Sequence, residues 1–128
     1  MKFLVLGATG ATGGLFIDKA LENDHDVVAY ARNPDRLAPR PGVTAVGGDV
    51  RDADGLAKAM DGVDAVVSTL GLGRAKDPDD LILDSTRAIV DAAGRVGVRR
   101  VLIMSAFGVG DSLARPHGSR GSCTRAAR

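Results

Sequence analysis

The sequence predicts an α/β fold built on a doubly wound parallel sheet. Three observations carry that expectation. Five short aliphatic runs recur along the chain without polar alternation, as strands do when both faces of a parallel sheet are covered. Segments with helical or turn character separate them, which makes βαβ units. The first run also passes directly into a glycine-rich turn that opens a helix.

Each element has its own justification. Phe3–Leu6 is a buried-type strand, followed by Gly7-Ala8-Thr9-Gly10-Ala11-Thr12-Gly13-Gly14. Leu15, Phe16, Ala20 and Leu21 then fall near helical spacing, and Asn23-Asp24 stops that helix. Val27–Tyr30 is the second strand. Asn33–Leu37 opens a very short helix, closed by Pro39 and Pro41. Val43–Val46 is the third strand and ends at Gly47-Gly48-Asp49. A helix begins at Asp52, runs through Leu56, Ala59 and Met60, and ends at Gly62. Ala65–Val67 is the fourth strand, ended by Leu70-Gly71. From Asp79 to about Val96 the positions Ile82, Ile89, Ala93 and Val96 keep near-helical spacing, with Gly97 as the C-terminal signal. Val101–Met104 is the fifth strand.

Length and composition narrow the functional classes. A chain of 128 residues is one domain's worth. One Cys excludes a disulfide framework and a Cys-rich metal site. No apolar stretch reaches membrane-spanning length, and no charged-then-apolar leader opens the chain. A cytoplasmic, reducing location is therefore the expectation. The net charge of +1 hides an asymmetry: residues 1–114 hold 13 basic and 16 acidic side chains, while 115–128 hold four Arg and no acid. The acidic body argues against nucleic-acid binding, and nothing points to a membrane.

The spacing Gly7-x-x-Gly10-x-x-Gly13, between a strand and a helix, points to dinucleotide binding. The backbone must turn sharply, approach a pyrophosphate closely and start a helix whose free N–H groups face the anion. Thr9 and Thr12 offer hydroxyl donors to phosphate. At the end of the second strand, an Asp or Glu would hold the ribose diol of NAD. This chain has Arg32 instead, 22 residues after Gly10. A planar, permanently charged guanidinium suits the 2′-phosphate of NADP, and Arg36 is a second candidate clamp. Both also read as solvated surface arginines. Asp49 either accepts from the adenine amino group or caps the helix that follows. Leu70 and Gly71 fall near the nicotinamide ribose, and Ser105 just beyond the fifth strand. His25 reads as a helix-terminal residue. His117 and Cys123 form no ligand cluster, so no metal is expected.

These residues together resemble an atypical short-chain dehydrogenase/reductase. The run Gly7–Gly13, Ala31-Arg32-Asn33-Pro34, Gly48-Asp49-Val50, Asp64–Val67 and Ser105-Ala106-Phe107 carry the likeness. They place it nearest the NAD(P)H-binding branch with biliverdin-IXβ/flavin reductase and NmrA-like proteins. The resemblance covers residues 1–113 and implies a Rossmann-type sheet in the order 3-2-1-4-5. It implies NADP(H), preferred over NAD(H), held by Gly7, Thr9, Gly10, Thr12, Gly13, Arg32, Asp49, Leu70, Gly71 and Ser105; Arg36 and Val50 are further candidates beside these. Ser105 is the candidate catalytic residue, positioning a carbonyl or ring nitrogen. The implied chemistry is hydride transfer to a flavin or another flat small-molecule acceptor. The Tyr-x-x-x-Lys pair of many short-chain reductases is absent: Tyr30, the only tyrosine, is expected far from the site, and no lysine follows Lys76.

The second half of such a sheet is expected to be incomplete. Residues 1–113 read as the N-terminal part of the family fold. Residues 114–128 read as a basic tail, either disordered or the product of a frameshift in a truncated reading frame. Strand five would then be an exposed apolar edge open to self-association. Three functional readings stay open: an NADPH-dependent reductase, an NmrA-like NADP(H) sensor without catalysis, and a truncated fragment with little activity.

Overall fold

A computed structural model describes residues 1–71 and 80–105. The elements run β1 (Lys2–Leu6), α1 (Ala11–Glu22), β2 (Asp26–Ala31), a 3-10 turn (Pro34–Arg36), β3 (Val43–Gly47), α2 (Ala53–Ala59), β4 (Ala65–Ser68), α3 (Leu81–Val96) and β5 (Arg100–Ile103). The strands form one parallel sheet in the expected order, β3-β2-β1-β4-β5. The strand order reverses between β1 and β4, which opens a crevice beyond their carboxyl ends.

Period-2 alternation distributes the strand side chains between two layers. Leu4 sits beside Val28 and Val66 in register. These residues, with Leu6 and Tyr30, pack against Leu56 and Met60 of the α2 segment and Ile89, Ala92 and Ala93 of α3. Val5, Val27 and Ala29 point the other way, onto Ile17 and Ala20 of α1. Leu56 and Ile89 are wholly buried, and each such side chain contributes about 1.5–3 kcal/mol by leaving water.

Boundaries follow from local chemistry. Asp52 caps α2 by accepting from the Asp54 N–H at 3.2 Å. Gly97 ends α3 at φ 80°, with its N–H on the Ala93 carbonyl, as the sequence signal predicts. The expected start of this helix at Asp79 lies outside the described residues, as do Ala106, Phe107 and all of 114–128. β5 starts one residue earlier than expected. Met104 lies past its end, yet its N–H still reaches the Ser68 carbonyl at 2.9 Å.

Two apolar residues that share helical spacing do not share burial. Leu15 remains 65% exposed, and Val96 lies at the solvent end of α3. The inner stripe of α3 is instead Ser85, Ala88, Ile89, Ala92 and Ala93. Ser85 is buried with its hydroxyl satisfied, donating to the Ile82 carbonyl at 3.1 Å. Arg95 joins α3 to α2 by pairing with Asp54, and pairs within α3 with Asp91. Among the described residues β5 is an edge strand, and Val101, Leu102 and Ile103 are exposed. No helix among the described residues is long and apolar enough to cross a membrane.

Candidate functional site

At the carboxyl ends of β1, β2 and β4, and over the turn after β3, the chain forms an open cleft of about 1040 Å³. Its floor is the glycine turn. Leaving β1, Gly7 adopts φ 79°, a left-handed conformation that L side chains rarely take. Its carbonyl accepts from the Gly10 N–H at 3.0 Å and closes the turn. Gly10 precedes α1 with no side-chain cap and no acid in the first turn. The opening N–H groups of α1 are therefore left for an anion.

Gly13 has a different role from the one its spacing suggests. It is buried and does not line the cleft. A Cβ there would lie 2.2 Å from the Gly7 carbonyl oxygen, so the third glycine lets α1 close onto the turn. A Cβ on Gly7 would meet Thr69 at 2.7 Å. The Thr69 hydroxyl lies 2.9 Å from the Leu6 carbonyl and 3.3 Å from that of Gly7, tying the turn to the end of β4.

The cleft gathers most of the predicted binding residues. Thr9, Arg32, Arg36, Asp49, Val50, Leu70 and Gly71 line it together with Gly7 and Gly10. Thr12 lies beyond the lining, on the exposed side of α1. Ser105 is exposed and outside the lining, because the walls come from the segments after β1 to β4 and β5 stands one strand further out. Arg32 and Arg36 are exposed, and neither has an ion-pair partner among the described residues. Asp49 does not cap α2. Its Oδ1 accepts from the Arg51 N–H at 2.8 Å, and Asp52 takes the capping role.

Besides Ala8, Ala31 and Asn33, which flank expected site residues, four lining residues escaped the sequence reading: Thr69, Arg51, Tyr30 and Leu81. The placement of Tyr30 corrects the expectation that it is remote. It is only 1% exposed, reaches the cleft from β2, and donates to the Asp49 carbonyl at 3.1 Å. Burial, then the Asp52 and Asp49 carboxylates, hold its phenol above the ordinary range. The period-2 pattern of β2 shows that Tyr30 faces inward but not that it ends under the next turn. His25, as expected, is peripheral: its Nδ1 lies 3.0 Å from the terminal amine, and its ring stands edge-on to Phe3. No cluster of metal-ligating side chains occurs among the described residues; His117 and Cys123 lie outside them.

Known proteins resemble the chain in the same region. A family model described as NAD(P)H-binding matches residues 7–125. Sterol demethylase protein B of Methylococcus capsulatus is 33% identical over 115 residues, covering 84% of this chain and 35% of the relative. Isoflavone reductase homolog P3 of Arabidopsis thaliana is 31% identical over 118 residues, covering 84% and 36%. The crystal structure of a Bordetella bronchiseptica enzyme in complex with NAD+ superposes with a TM-score of 0.65 at 26% identity, covering 78% of this chain and 37% of that one. The chain thus spans about a third of the length of the curated relatives it matches.

Two outcomes follow from this geometry. Gly13→Ala should lower stability by about 1–3 kcal/mol through overpacking against the turn, whereas Gly14→Ala, which meets nothing within 4 Å, should be neutral or gain up to about 1 kcal/mol. Denaturant melts of the two variants check this, and similar losses would contradict it. The second concerns pH. A phenol whose folded pKa is raised contributes stability that is fully present below its ordinary value, about pH 10, and is lost as pH climbs through the raised one. Wild-type Tm should therefore fall more steeply above that pH than the Tm of Tyr30→Phe. With one Tyr and no Trp in the chain, phenolate absorbance follows the same group directly.

Proposed function

The chain belongs to this NAD(P)H-binding family, and we propose that it is an oxidoreductase whose cleft takes NADPH in preference to NADH and offers the reduced ring to a flavin or a similar flat acceptor. The observation that carries the cofactor preference is the pair Arg32 and Arg36. They stand at the end of β2 with guanidiniums free of acidic partners among the described residues, where a carboxylate would be expected for an unphosphorylated ribose. Two such groups suit a dianionic 2′-phosphate by charge and by forked geometry.

The remaining residues fit the rest of a dinucleotide. The turn Gly7–Gly10 and the uncapped start of α1 suit a pyrophosphate, since the lining there is backbone with little side-chain bulk. The Thr9 hydroxyl is available as a further donor. Asp49 keeps a second carboxylate oxygen for an adenine amino group, its first being held by the Arg51 N–H. Val50 offers an apolar wall. Leu70 and Gly71 line the cleft after β4, on the side of the nicotinamide ribose. A nicotinamide cofactor supplies a hydride when bound. The protein's share is then to orient the ring and exclude water, which asks less of its side chains than proton donation to a carbonyl. In this proposal Ser105, beyond the cleft lining at the end of β5, positions the acceptor.

A second reading, a sensor that binds NADP(H) without turnover, is favoured by one observation. The only tyrosine donates to the Asp49 carbonyl beneath the turn after β3 and no lysine follows Lys76, so no Tyr-x-x-x-Lys proton relay accompanies Ser105. A chain with little activity of its own is the third reading. Self-association through the exposed edge of β5 belongs to the same proposal.

Arg32→Ala should weaken NADPH by about tenfold or more, the scale of losing a charge-assisted contact, and leave NADH within about twofold. Fluorescence titration of both nucleotides measures this, and equal losses would remove the 2′-phosphate assignment. NADPH oxidation with FMN or riboflavin separates the functional readings. Turnover is the expected result; tight binding without turnover favours the sensor, and neither binding nor turnover favours the third reading.

A further inference from the structure

The tyrosine that approaches the cleft from below does more than fill the core. Its ring packs in the layer that holds Val50, Leu56 and Met60, while its hydroxyl reaches past that layer to the turn after β3. Two glycines make this reach possible. A Cβ on Gly48 would lie 2.0 Å from the Tyr30 hydroxyl, and one on Gly55, in the first turn of α2, would lie 2.9 Å from it. A side chain at either position would displace the phenol.

The hydroxyl acts on one peptide. The Asp49 carbonyl accepts from Tyr30 at 3.1 Å and from the Asp52 N–H at 3.1 Å. The Gly48 N–H donates to the Ala31 carbonyl at 3.1 Å, so the turn is anchored to β2 by backbone on one side and by the phenol beneath. The turn's side chains diverge: Val50 is buried against the core and Asp49 is exposed, and both border the cleft. The height of the Asp49–Val50 peptide above the sheet therefore depends on the hydroxyl standing under it.

We infer that Tyr30 is the positioning residue for the adenosine half of the cleft, acting through the Gly48–Val50 turn rather than by touching ligand. The inference rests on the dinucleotide reading of the cleft. A buried phenol whose single proton is spent on a backbone carbonyl cannot serve as a proton donor to substrate, which separates this role from that of a catalytic tyrosine. The role is also local. The glycine turn is held by Thr69 and by its own backbone, on the other side of β1. Loss of the hydroxyl should accordingly be felt by adenosine and not by the nicotinamide end.

The test uses the full chain and the two halves of the cofactor as separate probes. Tyr30→Phe keeps the ring and removes the donor. Its Kd for 2′,5′-ADP should rise about fivefold, the scale of one hydrogen bond, while that for nicotinamide mononucleotide stays within about twofold. A merely structural role would weaken both probes alike, and that result, or an unchanged Kd for 2′,5′-ADP, would overturn the inference. A second measurement needs no variant. The fluorescence of the sole tyrosine should respond to 2′,5′-ADP and not to nicotinamide mononucleotide, and the reverse would also overturn it. A wild-type chain that binds neither NADPH nor 2′,5′-ADP would overturn the dinucleotide reading and this inference with it. Wild-type binding with an indifferent variant would remove the inference alone.

Discussion

The backbone contact between Gly7 and Gly13 sets the geometry on which the cleft depends. The Gly7 carbonyl closes the turn through Gly10, and the Cα of Gly13 packs where any Cβ would stand 2.2 Å from that oxygen. This lets α1 start immediately above the end of β1 and lean across the sheet. Thr69 holds the same turn from β4, so three elements meet at a few backbone atoms. Moving α1 outward by the width of a methyl group would loosen Ile17 and Ala20 from Val5, Val27 and Ala29, and would turn the free N–H groups of its first turn away from the cleft.

This contact also changes what the glycine spacing means. The motif is usually argued from the ligand: glycine lets a pyrophosphate approach. Here Gly7 and Gly13 are already required by the chain's own packing, whatever binds above them. The stronger pointer to an anion is the combination around them: a helix start without side-chain cap or acid, and two guanidiniums on the same cleft without acidic partners among the described residues. The positive charge of the site is local. It sits on a body whose residues 1–114 carry an excess of acids, so the cleft departs in sign from the chain around it, as expected of a surface that takes a phosphate-rich ligand.

The sheet is supported unequally. β1, β2 and β4 are covered on both sides, while β5 is exposed at an edge of the described structure. The cleft belongs to the covered part, built by the segments following β1 to β4. Ser105, beyond the end of β5, stands outside the lining.

By itself the sequence determined the elements and the parallel βαβ class, while the strand order came from the family resemblance. Uninterrupted aliphatic runs, helical spacing between them and a left-handed stop at Gly97 are local properties, and each is visible within a few residues. Arg32, Arg36, Asp49, Leu70 and Gly71 were legible for the same reason: they follow strand ends, and in a parallel sheet all strand ends lie on one side. Only the tertiary structure decided what those ends do to one another. That Gly13 serves packing, that Thr69 fastens the turn from 62 residues away, that Asp52 and not Asp49 caps α2, and that Tyr30 passes between Gly48 and Gly55 to reach the Asp49 carbonyl all depend on contacts between elements distant in sequence. Periodicity tells which face of a strand a side chain takes. The distance that side chain must span, and the backbone it meets there, are set when the neighbouring elements dock.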